Sequence, residues 1–143
     1  MHAMTIITRS EQETEDLARK LAKKLAAGDV VQLSGDLGAG KTVFARALIR
    51  ALMNDPALDV PSPTFTLVQT YDTPRGTIWH FDLYRIENEE DIYELGWEDA
   101  LADGIVIIEW PERLRSLAPP HAIGVTFQTP SECERTIEIT LPS

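Results

Sequence analysis

The chain has 143 residues, 43% hydrophobic and 25% charged, and its 13 Lys+Arg against 23 Asp+Glu give a net charge of −10. That length suits a single domain spanning residues 1–143, with the composition of a soluble globular protein and no run near the ~20 apolar residues of a membrane span. An acidic chain without a Lys/Arg-rich run lacks the footprint of an independent DNA or RNA binder.

Met1 to Ile7 lack the basic flank and apolar core of an export signal, and the single Cys133 has no disulfide partner. Both features point to a cytoplasmic protein, with Cys133 read as a small, half-buried strand residue. Thr5 to Thr8 reads as a short strand, and Ser10-Glu11-Gln12-Glu13 is a capping box that starts a helix near Glu11. Leu17, Leu21 and Leu25 give that helix one apolar stripe, predicted to pack on a sheet, and Gly28-Asp29 is its expected end. Val30 to Leu33 is a strand, Ser34 to Gly40 a loop, and Lys41 to about Met53 a helix. Three prolines between Asn54 and Pro63 predict an extended loop. Phe65 to Tyr71 and Thr77 to Phe81, separated by a turn-forming cluster, read as a β-hairpin. Glu89 to Leu95 and Trp97 to Ala102 are short helices broken at Gly96, before the apolar run Gly104 to Ile108, a strand buried on both faces. Pro111 to Leu117 suits a short helix, and Ala122 to Gln128 with Glu134 to Leu141 suits a terminal antiparallel pair.

Gly35-Asp36-Leu37-Gly38-Ala39-Gly40-Lys41-Thr42 matches G-x-x-x-x-G-K-[ST] at every fixed position, between a predicted strand and a predicted helix. Its glycines let backbone N–H groups curl inward as an anion nest at the positive end of the next helix, a cradle for a triphosphate. Lys41 supplies a charge for the β- and γ-phosphates, and the Thr42 hydroxyl a ligand for Mg²⁺. These elements predict an α/β domain of the P-loop NTPase type: a central, largely parallel sheet flanked by helices, with antiparallel hairpin additions.

P-loop enzymes add an acidic residue at the end of a neighbouring apolar strand. Glu109 follows Ile105 to Ile108, and Asp82 follows Ile78 to Phe81; spacing alone does not rank them. A central, two-face-buried strand is the better neighbour for the P-loop strand, which makes Glu109 the first choice for the metal and leaves Asp82 to orient water or γ-phosphate. His80, between aromatics, reads as a packed side chain that donates one hydrogen bond. Arg85 is open to a phosphate contact or to pairing with the acidic run Glu87 to Glu90, while Arg113 and Arg115 read as ordinary charges on a short helix. No Asn-Lys-x-Asp signature for guanine is present, so ATP is the default nucleotide.

Together with the P-loop, Ser62-Pro63-Thr64-Phe65-Thr66-Leu67, His80-Phe81-Asp82-Leu83-Tyr84-Arg85 and Ile108-Glu109-Trp110-Pro111 resemble, in order and spacing, the TsaE (YjeE-like) family. These are small bacterial P-loop ATPases of tRNA threonylcarbamoyladenosine biosynthesis, and the resemblance covers roughly residues 5 to 117. It implies two switch segments in which Thr64 and Asp82 sense the γ-phosphate, Glu109 with Thr42 as Mg²⁺ ligands, and Trp110 at the nucleotide site. A nucleotide contact from Arg135 is a further carry-over, from the poorest-matching region. The resemblance also implies partners, TsaB and TsaD, the second of which transfers threonylcarbamoyl to adenosine 37 of tRNAs reading ANN codons. The RNA would then be met only through them. A small-molecule kinase and a slow nucleotide switch are the other readings a P-loop of this size allows. The absence of an assignable arginine finger predicts slow hydrolysis by the chain alone.

Overall fold

A computed structural model describes residues 2–36 and 39–142; two P-loop positions, Leu37 and Gly38, lie outside the described residues. Strand β1 (His2–Thr8) leads into helix α1 (Glu11–Ala22). The capping box forms with one variation: Ser10 Oγ accepts the Glu13 amide at 3.1 Å, but the Glu13 carboxylate reaches back to the amide of Arg9 at 2.9 Å. The helix ends earlier than Gly28. The amides of Lys24 and Leu25 bond to Leu21 and Ala22 in the tighter i−3 pattern, and Asp29 Oδ2 accepts the Ala26 amide, so local turns replace the last helical turns. Leu25 stays buried all the same.

Strand β2 (Val30–Ser34) runs into the P-loop, and α2 (Lys41–Met53) follows with the expected bounds. Helix α1 lies mainly along α2, which itself covers the central strands, and its stripe also packs on the sheet edge, where Leu17 and Leu21 share a groove with Ile6, Ile139 and Leu141. Strands β3 (Val68–Thr73) and β4 (Gly76–Asp82) form the expected hairpin. Strand β3 starts later than Phe65 because Leu67 adopts φ 71° and its amide bonds back to the Pro63 carbonyl at 2.7 Å. That turn leaves Phe65 79% exposed.

Helices α3 (Glu89–Tyr93) and α4 (Trp97–Asp103) flank Gly96 at φ 92°, where a Cβ would sit 2.8 Å from the Trp79 ring. Strand β5 (Ile105–Glu109), a 3-10 helix (Pro111–Leu117), β6 (Ile123–Ser131) and β7 (Glu134–Leu141) complete the chain order. Cys133 is exposed in the turn between β6 and β7, not half-buried in a strand, because β7 pairing begins only at Glu134.

The strands form one seven-stranded sheet in the order β1-β7-β6-β2-β5-β4-β3. Strand β2 is parallel to both β5 and β6, and β4 is parallel to β5, while β1–β7, β6–β7 and β3–β4 are antiparallel. Parallel strands need covered faces, and every residue of β5 is buried. On one face Ile105 and Ile107 pack with Val31, Leu33, Phe44 and Leu48 beneath α1 and α2; on the other, Val106 and Ile108 pack with Phe81, Trp97 and Leu114. Among the described residues no helix is long and apolar enough to cross a membrane.

Candidate nucleotide-binding site

The parallel strands end in register: Leu33 of β2 pairs with Glu109 of β5, which pairs with Asp82 of β4. The carboxyl ends of such strands are where α/β sheets hold ligands. Strand alternation then places both carboxylates on the face that α2 covers, beside the helix start at Lys41.

Two glycines give the phosphate loop its path. Gly35 adopts φ 144°, and a Cβ there would meet the Phe127 carbonyl oxygen at 2.8 Å. Gly40 adopts φ 106° at the N-terminus of α2, where no side chain caps the helix. The first amides of α2 therefore remain available to an anion. Ala39 is buried, its amide bonded to the Asp36 carbonyl at 3.1 Å.

Lys41 is 4% exposed; its Nζ donates to the Gly35 carbonyl and stands 3.3 Å from the centroid of the Trp110 ring. Burial pulls the Lys41 ammonium below the ordinary lysine range, opposed by the negative charges of Glu109, Glu112, Asp82 and Asp36. Trp110 reaches this position by taking a left-handed backbone, φ 62°, and its ring packs against Tyr84 at 4.8 Å.

Thr42 Oγ1 donates to Glu109 Oε1 at 3.1 Å, and Glu109 Oε2 lies 2.7 Å from His80 Nε2. Asp82 Oδ1 accepts the Tyr84 amide at 3.0 Å, and Oδ2 accepts Thr64 Oγ1 at 3.4 Å. Burial, more than any neighbour, pushes the Asp82 carboxyl above the ordinary aspartate range; the Glu109 charge adds to the rise and the Tyr84 amide bond opposes it. Lys41, Thr42, Thr64, Asp82, Glu109 and Trp110 all border one cleft of about 510 Å³.

The donor set suits Mg²⁺ shared with phosphates. The Thr42 hydroxyl and the Glu109 carboxylate are hard oxygen donors within 3.1 Å of each other. Among the described residues no cluster of three or more His, Cys, Asp or Glu could cage a metal alone, and Mg²⁺ commonly takes one or two protein ligands and completes its shell with substrate phosphates and water.

Other residues fall elsewhere. Arg85 stacks on the ring of Phe65, 4.5 Å from its centroid, rather than pairing with Glu87 to Glu90. Arg113 and Arg115 donate to the carbonyls of Ile86 and Glu87 and so tie the 3-10 helix to the preceding loop. The far wall of the cleft, from Thr8, Arg9, Ser10 and Thr14 on one side and Glu132, Cys133 and Arg135 on the other, had no signal in the sequence beyond the isolated Arg135 carry-over. It exists because β7 pairs with both β1 and β6, bringing the ends of the chain together.

Known proteins align with this arrangement. The family model described as threonylcarbamoyl adenosine biosynthesis protein TsaE matches residues 8–137. A Rickettsia felis protein named tRNA threonylcarbamoyladenosine biosynthesis protein TsaE is 44% identical over 94% of this chain and 78% of its own. Proteins of the same name are 41% identical in Aquifex aeolicus, over 76% of this chain and 77% of the relative, and 33% identical in Treponema pallidum, over 95% and 99%. The crystal structure of Bacillus subtilis YdiB superposes with a TM-score of 0.77 at 24% identity, covering 99% of this chain and 87% of that one, and shares the fold. The chain belongs to the TsaE family.

Proposed function

We propose that this chain binds Mg-ATP in the cleft, hydrolyses it slowly alone and faster with partners, and in doing so serves tRNA threonylcarbamoyladenosine biosynthesis. The observation that carries the reading is the convergence of Lys41, Thr42, Thr64, Asp82 and Glu109 from separate segments onto one cleft, with Thr42 and Glu109 in hydrogen-bond contact at 3.1 Å. The names of the relatives supply the pathway.

In this reading the P-loop from Gly35 to Thr42, with Leu37 and Gly38 included, cradles the β- and γ-phosphates through its amides, and Lys41 swings from the Gly35 carbonyl to the phosphate oxygens. Thr42 and Glu109 would hold Mg²⁺, which would supply positive charge to offset that of the phosphate oxygens. Asp82 orients the attacking water as its oxygen forms a bond to the γ-phosphorus and the bond to the ADP oxygen breaks, giving ADP, inorganic phosphate and a proton. Thr64, bonded to Asp82, reports whether a γ-phosphate is present. Trp110 lines the phosphate end, and the β1–α1 junction with Arg135 forms the nucleoside end. The partners are TsaB and TsaD, which would hold the tRNA that an acidic chain of net charge −10 does not attract. Loop order coupled to the γ-phosphate is how such a site would alter a partner interface between turnovers.

The test is Mg²⁺-dependent phosphate release from ATP, by the purified protein alone and with TsaB and TsaD added. Slow release that rises with partners supports the proposal. ATP binding without any partner effect overturns the role in that complex and favours a search for phosphate acceptors.

A further inference from the structure

The side chain of His80 is 1% exposed and makes one polar contact, from Nε2 to Glu109 Oε2 at 2.7 Å. Its Nδ1 is buried without a partner, one of two such atoms among the described residues. A buried, unpaired polar atom gives up its bonds to water without replacement, and an apolar side chain would avoid that cost. Packing therefore gives no reason for an imidazole here, whereas the single bond does. Its partner is a carboxylate oxygen, so the hydrogen sits on Nε2.

The sheet fixes this contact. His80 pairs with Ile107 and Asp82 with Glu109 across β4 and β5, so His80 stands diagonal to Glu109 on the α2 face. With Oε2 held by His80, the other oxygen of Glu109 is the one that faces Thr42, at 3.1 Å. The two oxygens of one carboxylate thus have separate tasks, one anchored in the core and one presented to the cleft.

We infer that His80 is a positioning residue that locks the Glu109 carboxylate in the rotamer needed to share a Mg²⁺ ion with Thr42. The inference rests on the proposed Mg-nucleotide reading of the cleft. Partners of this kind, one bond behind a metal ligand, typically change metal affinity about 10–100-fold when removed.

The test uses three substitutions. His80→Leu removes the donor at similar volume, His80→Asn keeps a polar amide too short to reach Glu109, and His80→Gln carries a donor of about the reach of Nε2. Binding of the slowly hydrolysed ATP analogue AMP-PNP is followed by calorimetry in EDTA and across a Mg²⁺ titration. For His80→Leu and His80→Asn the Mg²⁺ concentration at half-effect rises about tenfold or more while affinity in EDTA is unchanged; His80→Gln stays close to wild type. In the ligand-free protein, a slowly exchanging Nε2–H proton signal is expected that shifts in Glu109→Gln.

A wild-type Mg²⁺ midpoint in both His80→Leu and His80→Asn overturns the inference, as does equal loss of binding in EDTA and in Mg²⁺. If His80→Leu does not fold, the Asn and Gln variants still give the comparison. Wild-type protein that binds the analogue with no response to Mg²⁺ overturns the metal reading of the cleft itself. A wild type that responds to Mg²⁺, with variants that keep its midpoint, overturns only the role of His80.

Discussion

Replacing Glu109 by Ala and by Gln separates what the carboxylate does for the fold from what it does in the cleft. Both substitutions remove the same buried charge, and with it the same repulsion toward Asp82, so that effect cancels between them. Gln keeps the volume and an acceptor for His80, and its amide can face the Thr42 hydroxyl. Ala leaves His80, 1% exposed, with no partner on either ring nitrogen, at a cost of about 1–3 kcal/mol. It also leaves a gap beside a side chain that is 2% exposed, adding about 1 kcal/mol. Glu109→Ala should therefore be about 2–4 kcal/mol less stable than Glu109→Gln. At roughly 2.1 cal/mol/K per residue, 143 residues lose about 1 kcal/mol per 3 °C, so the midpoints should differ by about 7–13 °C. Thermal unfolding followed by circular dichroism measures the gap. Phosphate release should be lost in both variants, while nucleotide binding in EDTA persists. Equal melting temperatures would refute the bonding scheme around Glu109, and wild-type hydrolysis by Glu109→Gln would refute its role as a metal ligand.

Three other expectations concern the same cleft. Because burial raises the Asp82 carboxyl, the folded state holds a proton there that the unfolded chain has released, and this contribution to stability fades as pH rises from the ordinary aspartate range through the raised value. Asp82→Asn should flatten that slope and stabilise the protein at neutral pH in urea titrations; an unchanged slope refutes the cause. Lys41→Ala should weaken triphosphate binding with a normal circular-dichroism spectrum, and an unchanged nucleotide titration would exclude Lys41 from the phosphate site. Thr64→Ala should spare ADP affinity yet reduce the preference of the ATP form for the TsaB–TsaD complex in pull-down titrations; if wild-type ATP and ADP forms associate equally, Thr64 senses nothing.

The parts of the fold that were legible in sequence are those written in local pattern. The P-loop motif placed Lys41 at the first residue of α2, and the unbroken apolar run marked β5 as a two-face-buried strand beside β2. Features decided by single bonds between neighbouring residues leave no such pattern: the Asp29 carboxylate, accepting the Ala26 amide, rearranges the end of α1, and the backbone turn at Leu67 removes Phe65 from β3. Features decided by register were invisible. His80 was recognisable as a packed donor of one bond, but its acceptor lies 29 positions along the chain and is chosen by how β4 aligns with β5. The far wall of the cleft rests on two pairings: β6–β7 is legible in the period-two pattern of the tail, whereas β1–β7 joins the two ends of the chain and no spacing encodes it.

Those same pairings govern the order in which a growing chain can be finished. Strands β2, β5, β4 and β3 are all present once Glu109 has emerged, and with them the P-loop and both acidic groups. Strand β1 has no neighbour until β7 arrives, and β2 lies open on one side until β6 does. During synthesis the P-loop side of the cleft can therefore form before the wall built from β1, β6 and β7, and a nascent chain would expose the unpaired edge of its central strand until the last hairpin closes over it.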